Sequence, residues 1–338
     1  MKISAYTTTK DCIEGNYPFI EAIESALPIV DELIIFDSSR KNDGTLDALK
    51  SLSEHNKKIK LIHDETIDWS APNHGIYDGI AKAMARKFCT GDVLIQFDVD
   101  EIFHEKDIKK WKDLCFEFST GNIEVLHLPV IEFWGPSKIR IDIGPTKERI
   151  TKNKPHITHG IPALLRFYND NLLYSKQGSD GCNLINSDTF MPIQQFMPNI
   201  DFSFFLRQEA LYDEESKETY ERFYKKFIIN NEKYPCIYHY SWFNISRKLK
   251  TYKNFWANSW ASLYGENSQK TNPMFPDMLN EDITDDMITS YSLEIENKTG
   301  GWIFHKPWDG SFVFGLSVEN TGATHPSYVS EWIKQKER

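Results

Sequence analysis

Residues 92–103 have the sequence Asp92-Val-Leu-Ile-Gln-Phe-Asp-Val-Asp-Glu-Ile-Phe103 and carry the strongest fold signal in this chain. The run Val93–Phe97 is mostly apolar and too short for a typical helix, so it predicts a buried strand. Three carboxylates follow it closely, Asp98, Asp100 and Glu101. Because charge at the end of a buried strand needs compensation, the stretch indicates a site for a divalent cation and a ligand phosphate. A strand that runs into a solvated acidic turn is the alternative.

Alternating strand and helix patterns precede this stretch. The predicted strands are Ile3–Tyr6, Asp31–Phe36 and Ile59–Ile62, and the predicted helices are Tyr17–Leu27, a segment that begins at Thr45, and Asn73–Phe88. Such alternation predicts an α/β fold with a parallel sheet and right-handed crossovers. Because ligands lie outside the carboxyl ends of parallel strands, we expect Thr7–Thr9, Asp37 and Asp98–Asp100 to lie along one edge of the sheet.

The second half of the chain has weaker patterns. We predict a helix at Asp107–Phe118 and a strand with Pro129 inside it at Glu124–Phe133. Residues 134–200 are predicted to be mostly loops, with a short strand at 163–168. After them we predict a helix at 209–231, a strand at Ile237–Trp242, a helix at 245–264, and a loop or lid at 265–286. A proline inside a strand indicates an edge or a bulge. No linker is evident, so one continuous fold is expected.

Composition limits the function. The formal net charge of −10 argues against a protein that binds the backbone of nucleic acids, which normally requires a basic face. The five cysteines are scattered without a Cys-x-x-Cys motif, so they predict neither a zinc site nor a disulfide framework, and they favour a cytoplasmic protein. No apolar run is long enough for a membrane span and no signal peptide is evident.

Four pieces of the first third of the chain match a known pattern. They are Ile3–Thr9, Phe19–Leu27, Asp31–Ser39 with Asp43-Gly-Thr45 after it, and Gly91–Glu101. In this order and spacing they resemble the glycosyltransferases of family 2, which have a GT-A fold. The resemblance implies a Rossmann-like mixed sheet, mainly parallel and flanked by helices. Residues 1–118 would bind a nucleotide sugar, and residues 119–338 would form an irregular α+β half for the acceptor, with C-terminal helices and a lid.

The resemblance also implies roles for site residues. Asp37 would bind the base or ribose of the donor, and Asp98 and Asp100 would hold the Mn²⁺ or Mg²⁺ ion that binds the diphosphate. The chain departs from the family in having Asp37-Ser38-Ser39 in place of the usual acidic pair, so base recognition would depend on one carboxylate. It also lacks a Gln-x-x-Arg-Trp motif, so a processive polysaccharide synthase is not expected.

The resemblance, together with position along the chain, implies further donor and metal residues. The donor pocket would contain Thr7, Thr8, Asp37, Asn73, His74, Lys82 and Asp98. For Lys82 a solvated helix face is the alternative. His239, in Tyr238-His-Tyr-Ser-Trp242, is the candidate for a further metal ligand, because similar enzymes often use a late histidine. Packing among aromatic rings is the alternative for His239.

Other residues have rival roles. His325 and His305 are alternatives to His239, whereas His156 and His159 are expected to make structural or acceptor hydrogen bonds. Arg247 and Lys250 could contact the diphosphate, and a solvated helix face is the alternative for both. An inverting transfer needs a general base near the acceptor hydroxyl. The candidates are Asp180 first, then Glu132, Asp201 and Glu209, while Glu101 would orient sugar hydroxyls.

The expected function is a metal-dependent glycosyltransferase that moves a sugar from a nucleotide-diphosphate sugar to a glycan or another hydroxyl acceptor. A haloacid-dehalogenase-type phosphatase would use Asp98 as nucleophile. In such enzymes the nucleophile motif normally lies near the N-terminus, whereas in this chain three predicted β-α units precede it. A nucleotidyltransferase would need a glycine-rich loop after the first strand, and Thr7-Thr-Thr-Lys-Asp11 is not one. A non-catalytic protein that binds a sugar or a nucleotide is the alternative from another class.

Overall fold

A computed structural model describes most of the first half of the chain and parts of the second. The described residues are 1–40, 42–67, 74–135, 138–140, 146–159, 184–188, 229–244 and 315–336, with positions 222, 225, 247 and 248. Several predicted features lie outside them: the strand at 163–168, the lid at 265–286, most of the helices at 209–231 and 245–264, and the residues Asn73, Asp180, Asp201, Glu209, Lys250 and His305.

The first half alternates strands and helices as predicted. Its strands are β1 (Ile3–Thr9), β2 (Glu32–Asp37), β3 (Ile59–His63) and β4 (Val93–Gln96), and its helices are α1 (Phe19–Ala26), α2 (Thr45–His55), α3 (His74–Lys87) and α4 (Ile108–Thr120). β1 pairs in parallel with β2 and β4, and β2 pairs in parallel with β3. The parallel part of the sheet therefore has the order β3-β2-β1-β4.

Six further strands in the described residues, most of them in antiparallel pairs, extend the sheet beyond β4. They are β5 (Glu101–Ile102), β6 (Val125–Trp134), β7 (Lys138–Arg140), β8 (Thr146–Lys152), β11 (Ile237–Trp242) and β12 (Gly315–Ser317). β8 lies between β4 and β6 and is antiparallel to both. β11 lies beside β6 in parallel and beside β5 in antiparallel orientation. β9 (Ile157–His159) and β10 (Leu184–Asn186) form a separate pair.

Both faces of the parallel sheet are covered, which explains its nearly continuous apolar strands. On β2, Leu33 and Ile35 belong to the larger core, together with side chains of α1 and α4. Ile34 and Phe36 point to the opposite face and pack with Ala81 and Ala85 of α3. The predicted α/β class is confirmed, and the sheet of the first half is parallel as expected.

The prediction of loops over residues 134–200 was wrong for the described part of that segment, because it contains β7, β8, β9 and β10. β8 has the sequence Thr-Lys-Glu-Arg-Ile-Thr-Lys, in which Ile150 is the one apolar residue. It is nevertheless a strand, because β4 and β6 provide hydrogen-bonding partners on both sides. Two of its charged side chains, Lys147 and Arg149, have partners in the site described below, so the apolar alternation that usually marks a strand is missing.

A C-terminal segment packs against the first half. Two short helices, α5 (Val318–Thr321) and α6 (Ser330–Lys336), flank a 3₁₀ turn at Ser327–Val329. The Thr324 hydroxyl lies 2.8 Å from Nε2 of His104, and the backbone N–H of Ser327 donates to Glu105 at 3.1 Å. Among the described helices, none combines the length and apolar composition that crossing a membrane requires.

Candidate active site

The candidate site lies at the carboxyl ends of the parallel strands. Thr9 is the register partner of Asp37 on the neighbouring strand, and Gln96 at the end of β4 is the partner of Tyr6. The polar residues that follow these strands therefore lie along one edge of the sheet, as the sequence predicted. Here we use the term acidic cluster for Asp98, Asp100 and Glu101, which come directly after β4.

Asp37 is fully buried and surrounded by protein donors. Its Oδ1 accepts hydrogen bonds from the Thr9 hydroxyl at 2.7 Å and the Ser39 hydroxyl at 2.8 Å. Its Oδ2 lies 2.8 Å from Nδ1 of His63, the last residue of β3. Both carboxylate oxygens thus have partners within the chain, and the predicted contact of Asp37 with a nucleotide base or ribose stays a prediction.

Asp98 is held between two cations from different elements. Nζ of Lys82, on α3, lies 2.8 Å from Oδ1, and Nη2 of Arg149, on β8, lies 2.8 Å from Oδ2. Burial alone would raise the pKa of Asp98, but Lys82, Arg149 and Lys147 hold it well below its usual range. Lys82 is itself buried, and its Nζ also lies 3.0 Å from Asp78 Oδ2. Lys82 therefore belongs to the site rather than to a solvated helix face.

Glu101 is buried and bound on both oxygens by basic side chains. Arg149 donates from Nε to Oε2 at 2.8 Å and from Nη2 to Oε1 at 2.7 Å, which is a two-point guanidinium–carboxylate pair. Lys147 adds a contact of 2.7 Å to Oε1. Burial raises the pKa of Glu101, but Arg149 and Lys147 outweigh it and lower the pKa overall. The suggested role of Glu101 in orienting sugar hydroxyls stays a prediction.

Asp100, His239 and Glu132 form a line of polar side chains. His239 lies beside Glu101 on β5 and beside Glu132 on β6 in the strand register. Its Nδ1 lies 2.8 Å from Glu132 Oε2, and its Nε2 lies 3.3 Å from Asp100 Oδ1. Burial lowers the pKa of His239, but the two carboxylates outweigh it and raise the pKa overall. Packing of His239 among aromatic rings alone does not describe this environment.

Lys147 and Arg149 are the site residues that sequence reasoning missed. Both lie on β8, two positions apart, so they are on the same face of the strand. Nζ of Lys147 lies 3.3 Å from Nε2 of His239 and 3.9 Å from Asp98 Oδ2. The sequence contained one signal for this strand, because Lys147 and Arg149 occupy alternate positions and therefore one face. A search for alternating apolar residues does not detect it, since the face that turns toward the site is charged.

Two more cations approach Asp100 from residues after β11. Nη2 of Arg247 lies 3.8 Å from Asp100 Oδ2, and it donates to the carbonyl oxygens of Tyr240 and Ser241. Burial lowers the pKa of Lys248 to about 8. Burial would raise the pKa of Asp100, but His239 and Arg247 bring it below its usual range. The acidic cluster is thus largely neutralised by side chains of the chain itself.

The fit of a divalent cation depends mainly on Asp100 and His239. Asp100 offers a carboxylate oxygen, the ligand type that Mn²⁺ and Mg²⁺ prefer, and His239 offers an imidazole nitrogen beside it; phosphate oxygens and water would complete the coordination. Asp98 fits less well, because Lys82 and Arg149 already hold both of its oxygens. Within the described ranges, no group of three or more His, Cys, Asp or Glu side chains is arranged to hold a metal ion.

The remaining predicted residues take these positions. Thr7 and Thr8 are buried at the end of β1, and the Thr8 hydroxyl lies 3.5 Å from Asp78 Oδ1. His74 begins α3. Nδ1 of His325 lies 2.9 Å from the Tyr240 hydroxyl, and its ring packs at a tilt against Phe133, with ring centres 4.3 Å apart.

The pair His156 and His159 makes structural contacts. His156 lies 3.0 Å from Glu124, and His159 lies 2.5 Å from the buried hydroxyl of Tyr6. Both contacts are of the hydrogen-bonding kind expected for these two residues.

No protein-family model matches the chain, and no curated protein matches it. Among solved structures, the chain is similar to residues 1–349 of TarS from S. aureus, with 12% identity and a TM-score of 0.34 over 92% of this chain and 96% of that one. The same TarS fragment in complex with UDP gives 14% identity and a TM-score of 0.33, with the same coverage.

A second similar protein is the glucosyl-3-phosphoglycerate synthase of Mycobacterium tuberculosis, solved with Mn²⁺, UDP and glucosyl-3-phosphoglycerate. The identity is 22% and the TM-score 0.27, over 37% of this chain and 42% of that one. TM-scores this low leave the topology of the chain itself as the evidence for its fold.

Proposed function

We propose that this chain is a glycosyltransferase that moves a hexosyl or pentosyl group from a nucleotide-diphosphate sugar to a glycan or another hydroxyl acceptor. It would act with Mn²⁺ or Mg²⁺. The observation that carries the proposal is the position of Asp100 beside His239, 3.3 Å apart, at the carboxyl edge of a parallel sheet. This edge is where α/β folds bind nucleotides.

In this proposal Asp100 and His239 hold the divalent ion. A bound ion of this kind acts as a Lewis acid and neutralises the charge that develops on the leaving diphosphate. Glu132 accepts the Nδ1 hydrogen of His239, and this contact keeps Nε2 directed toward Asp100. Lys82 and Arg149 fix Asp98 beside the same site.

The proposal also assigns residues to the donor pocket and to the general base. Thr7, Thr8, Asp37, Asn73, His74, Lys82 and Asp98 would line the donor pocket, in the half formed by residues 1–118. Because the Glu132 carboxylate is engaged with His239, Asp180 remains our first choice for the general base, in the acceptor half formed by residues 119–338.

The phosphatase alternative is less well supported. A nucleophilic Asp98 would need an oxygen directed at phosphorus, and in the structure both of its oxygens contact cationic side chains at 2.8 Å. Incubation with a phosphate ester, followed by mass spectrometry for an acyl phosphate on Asp98, would detect such chemistry.

Calorimetric titration with nucleoside diphosphates, in the presence and absence of MnCl₂, tests the proposed function. We expect Mn²⁺ to increase the affinity for the nucleoside diphosphate. Asp100→Asn should lower the affinity measured with Mn²⁺ by at least about tenfold, since even the loss of a residue that only supports a metal ligand typically lowers metal affinity by that factor. The matched control is Asp113→Asn on α4, where the carboxylate is exposed. If the unaltered chain binds no nucleoside diphosphate under either condition, the proposed function is wrong.

Transfer is then measured with the corresponding nucleotide sugars and a panel of hydroxyl acceptors. A chain that binds the donor and neither hydrolyses nor transfers it would be a binding protein.

A further inference from the structure

The ammonium group of Lys147 lies among the side chains that surround the proposed metal site. It is 2.7 Å from Glu101 Oε1, 3.3 and 3.4 Å from the two ring nitrogens of His239, and 3.9 Å from Asp98 Oδ2. These atoms come from three separate elements, the loop after β4, β5 and β11. A single positive charge therefore contacts two of the three predicted metal ligands, Asp98 and His239, together with Glu101.

The lysine is held in this place by the fold. β8 pairs with β6 in antiparallel register, with Lys147 opposite Leu128, so the side chain is anchored at the edge of the site. Its side chain is 27% exposed, which leaves a route to solvent or to a ligand. Its Nζ pairs with the Glu101 carboxylate at 2.7 Å, and this contact favours the charged ammonium form beside the acidic cluster.

We propose that Lys147 is a built-in counter-ion that competes with the divalent cation for the acidic cluster, and that it makes metal binding depend on the nucleotide. The inference rests on the proposed function. A cation bound to His239 would lie close to the Lys147 ammonium, which is 3.3 Å from Nε2, and two neighbouring cations repel each other strongly in a partly buried site. A metal ion at Asp100 and His239 therefore requires the Lys147 ammonium to move away from His239.

The donor diphosphate provides the displaced lysine with a new partner. A phosphate oxygen is a strong acceptor for an ammonium group, so the lysine is stabilised in its new position when the nucleotide is present. Metal alone has to displace Lys147 without this compensation. By linkage, metal and nucleotide should then each increase the affinity for the other.

The test is calorimetric titration of the metal-free protein with MnCl₂ alone. We expect Lys147→Met and Lys147→Gln to bind Mn²⁺ at least about tenfold more tightly than the unaltered chain. These variants lack the competing charge, and a coupling between two binding events typically changes affinity by about this factor. Lys147→Arg keeps the charge and should stay close to the unaltered chain. The matched control is Lys154→Met, an exposed lysine just after the same strand.

A Mn²⁺ affinity of the Met and Gln variants that does not exceed that of the unaltered chain would overturn the inference. If neither variant folds, the unaltered chain supplies the second measurement, its Mn²⁺ affinity with and without saturating UDP. Equal affinities would overturn the proposed dependence.

These outcomes also separate the inference from the function. Nucleotide binding by the unaltered chain, together with no gain in the variants, rejects only the role of Lys147. Tighter Mn²⁺ binding by the variants, together with no nucleotide binding by any chain, supports the counter-ion and rejects the glycosyltransferase.

Discussion

Glu132 and His239 illustrate how one side chain sets the chemistry of another. The Glu132 carboxylate lies 2.8 Å from Nδ1 of His239, and Asp100 lies on the other side of the imidazole ring at 3.3 Å. A histidine whose Nδ1–H donates to a carboxylate presents Nε2 as its metal-binding atom. Glu132 is therefore a positioning residue in our proposal, and its sequence-based assignment as a general base stays untested.

Glu132→Gln should weaken Mn²⁺ binding by about tenfold or more, because loss of a carboxylate partner of a ligating histidine typically costs 10- to 100-fold in metal affinity. The measurement is calorimetric titration with MnCl₂ in the presence of a nucleoside diphosphate.

The matched control for this variant is Glu124→Gln, since Glu124 also pairs with a histidine, His156, outside the site. Equal losses in both variants, or no loss in Glu132→Gln, would show that Glu132 does not act through His239.

Some residues of the site could be recognised from the sequence, and others could not. Asp98 and Asp100 follow an apolar strand, and Lys82 lies on the helix before it, so local pattern was sufficient to select them. Lys147 and Arg149 join the site only because β8 inserts between β4 and β6. That pairing is decided by long-range hydrogen bonding, which local pattern does not contain.

The strands of the first half were predictable for a physical reason that β8 lacks. A parallel strand covered on both faces must be apolar throughout, and this gives a strong local signal, as in Leu33–Phe36 of β2.

The connection before β4 leaves no space for a side chain at one position. Gly91 packs so closely against β1 that an added Cβ would lie 2.5 Å from the Ser4 hydroxyl and 2.7 Å from the Lys2 carbonyl oxygen.

Gly91→Ala should lower the free energy of unfolding by about 2 to 3 kcal/mol, because the added methyl group meets the backbone of a central strand that cannot move aside. Urea denaturation followed by circular dichroism measures the change.

The comparison for this variant is Gly121→Ala after α4, where the nearest atom to an added Cβ lies 3.7 Å away. If the two alanine variants were equally stable, the close approach at Gly91 would have no energetic consequence.

Across the whole molecule, the C-terminal segment completes the core that the first half begins. Trp332 on α6 is buried, with its ring centre 5.3 Å from that of Phe243 and 6.1 Å from that of Tyr240. Tyr240 belongs to β11, the strand that also carries His239. The last residues of the chain thus support the strand that supplies the proposed metal-binding histidine.

Trp332→Ala should lower the free energy of unfolding by about 3 to 5 kcal/mol, as expected when a large buried aromatic side chain is truncated. Thermal denaturation followed by tryptophan fluorescence and circular dichroism measures the loss.

Phe116→Ala on α4 provides the control for this truncation, because Phe116 is 64% exposed and its removal should change stability little. A Trp332→Ala variant as stable as the unaltered chain would show that α6 is not part of the cooperative core.

The position of β11 also affects how the chain folds. His239 meets Glu132 across 107 residues and Lys147 across 92 residues of sequence. Pairings over such separations form slowly, because the intervening chain loses conformational entropy before the contacts compensate for it. During synthesis, a ribosome-bound chain that ends before β11 has the acidic cluster but lacks His239, so the proposed metal site can assemble only after β11 has been made.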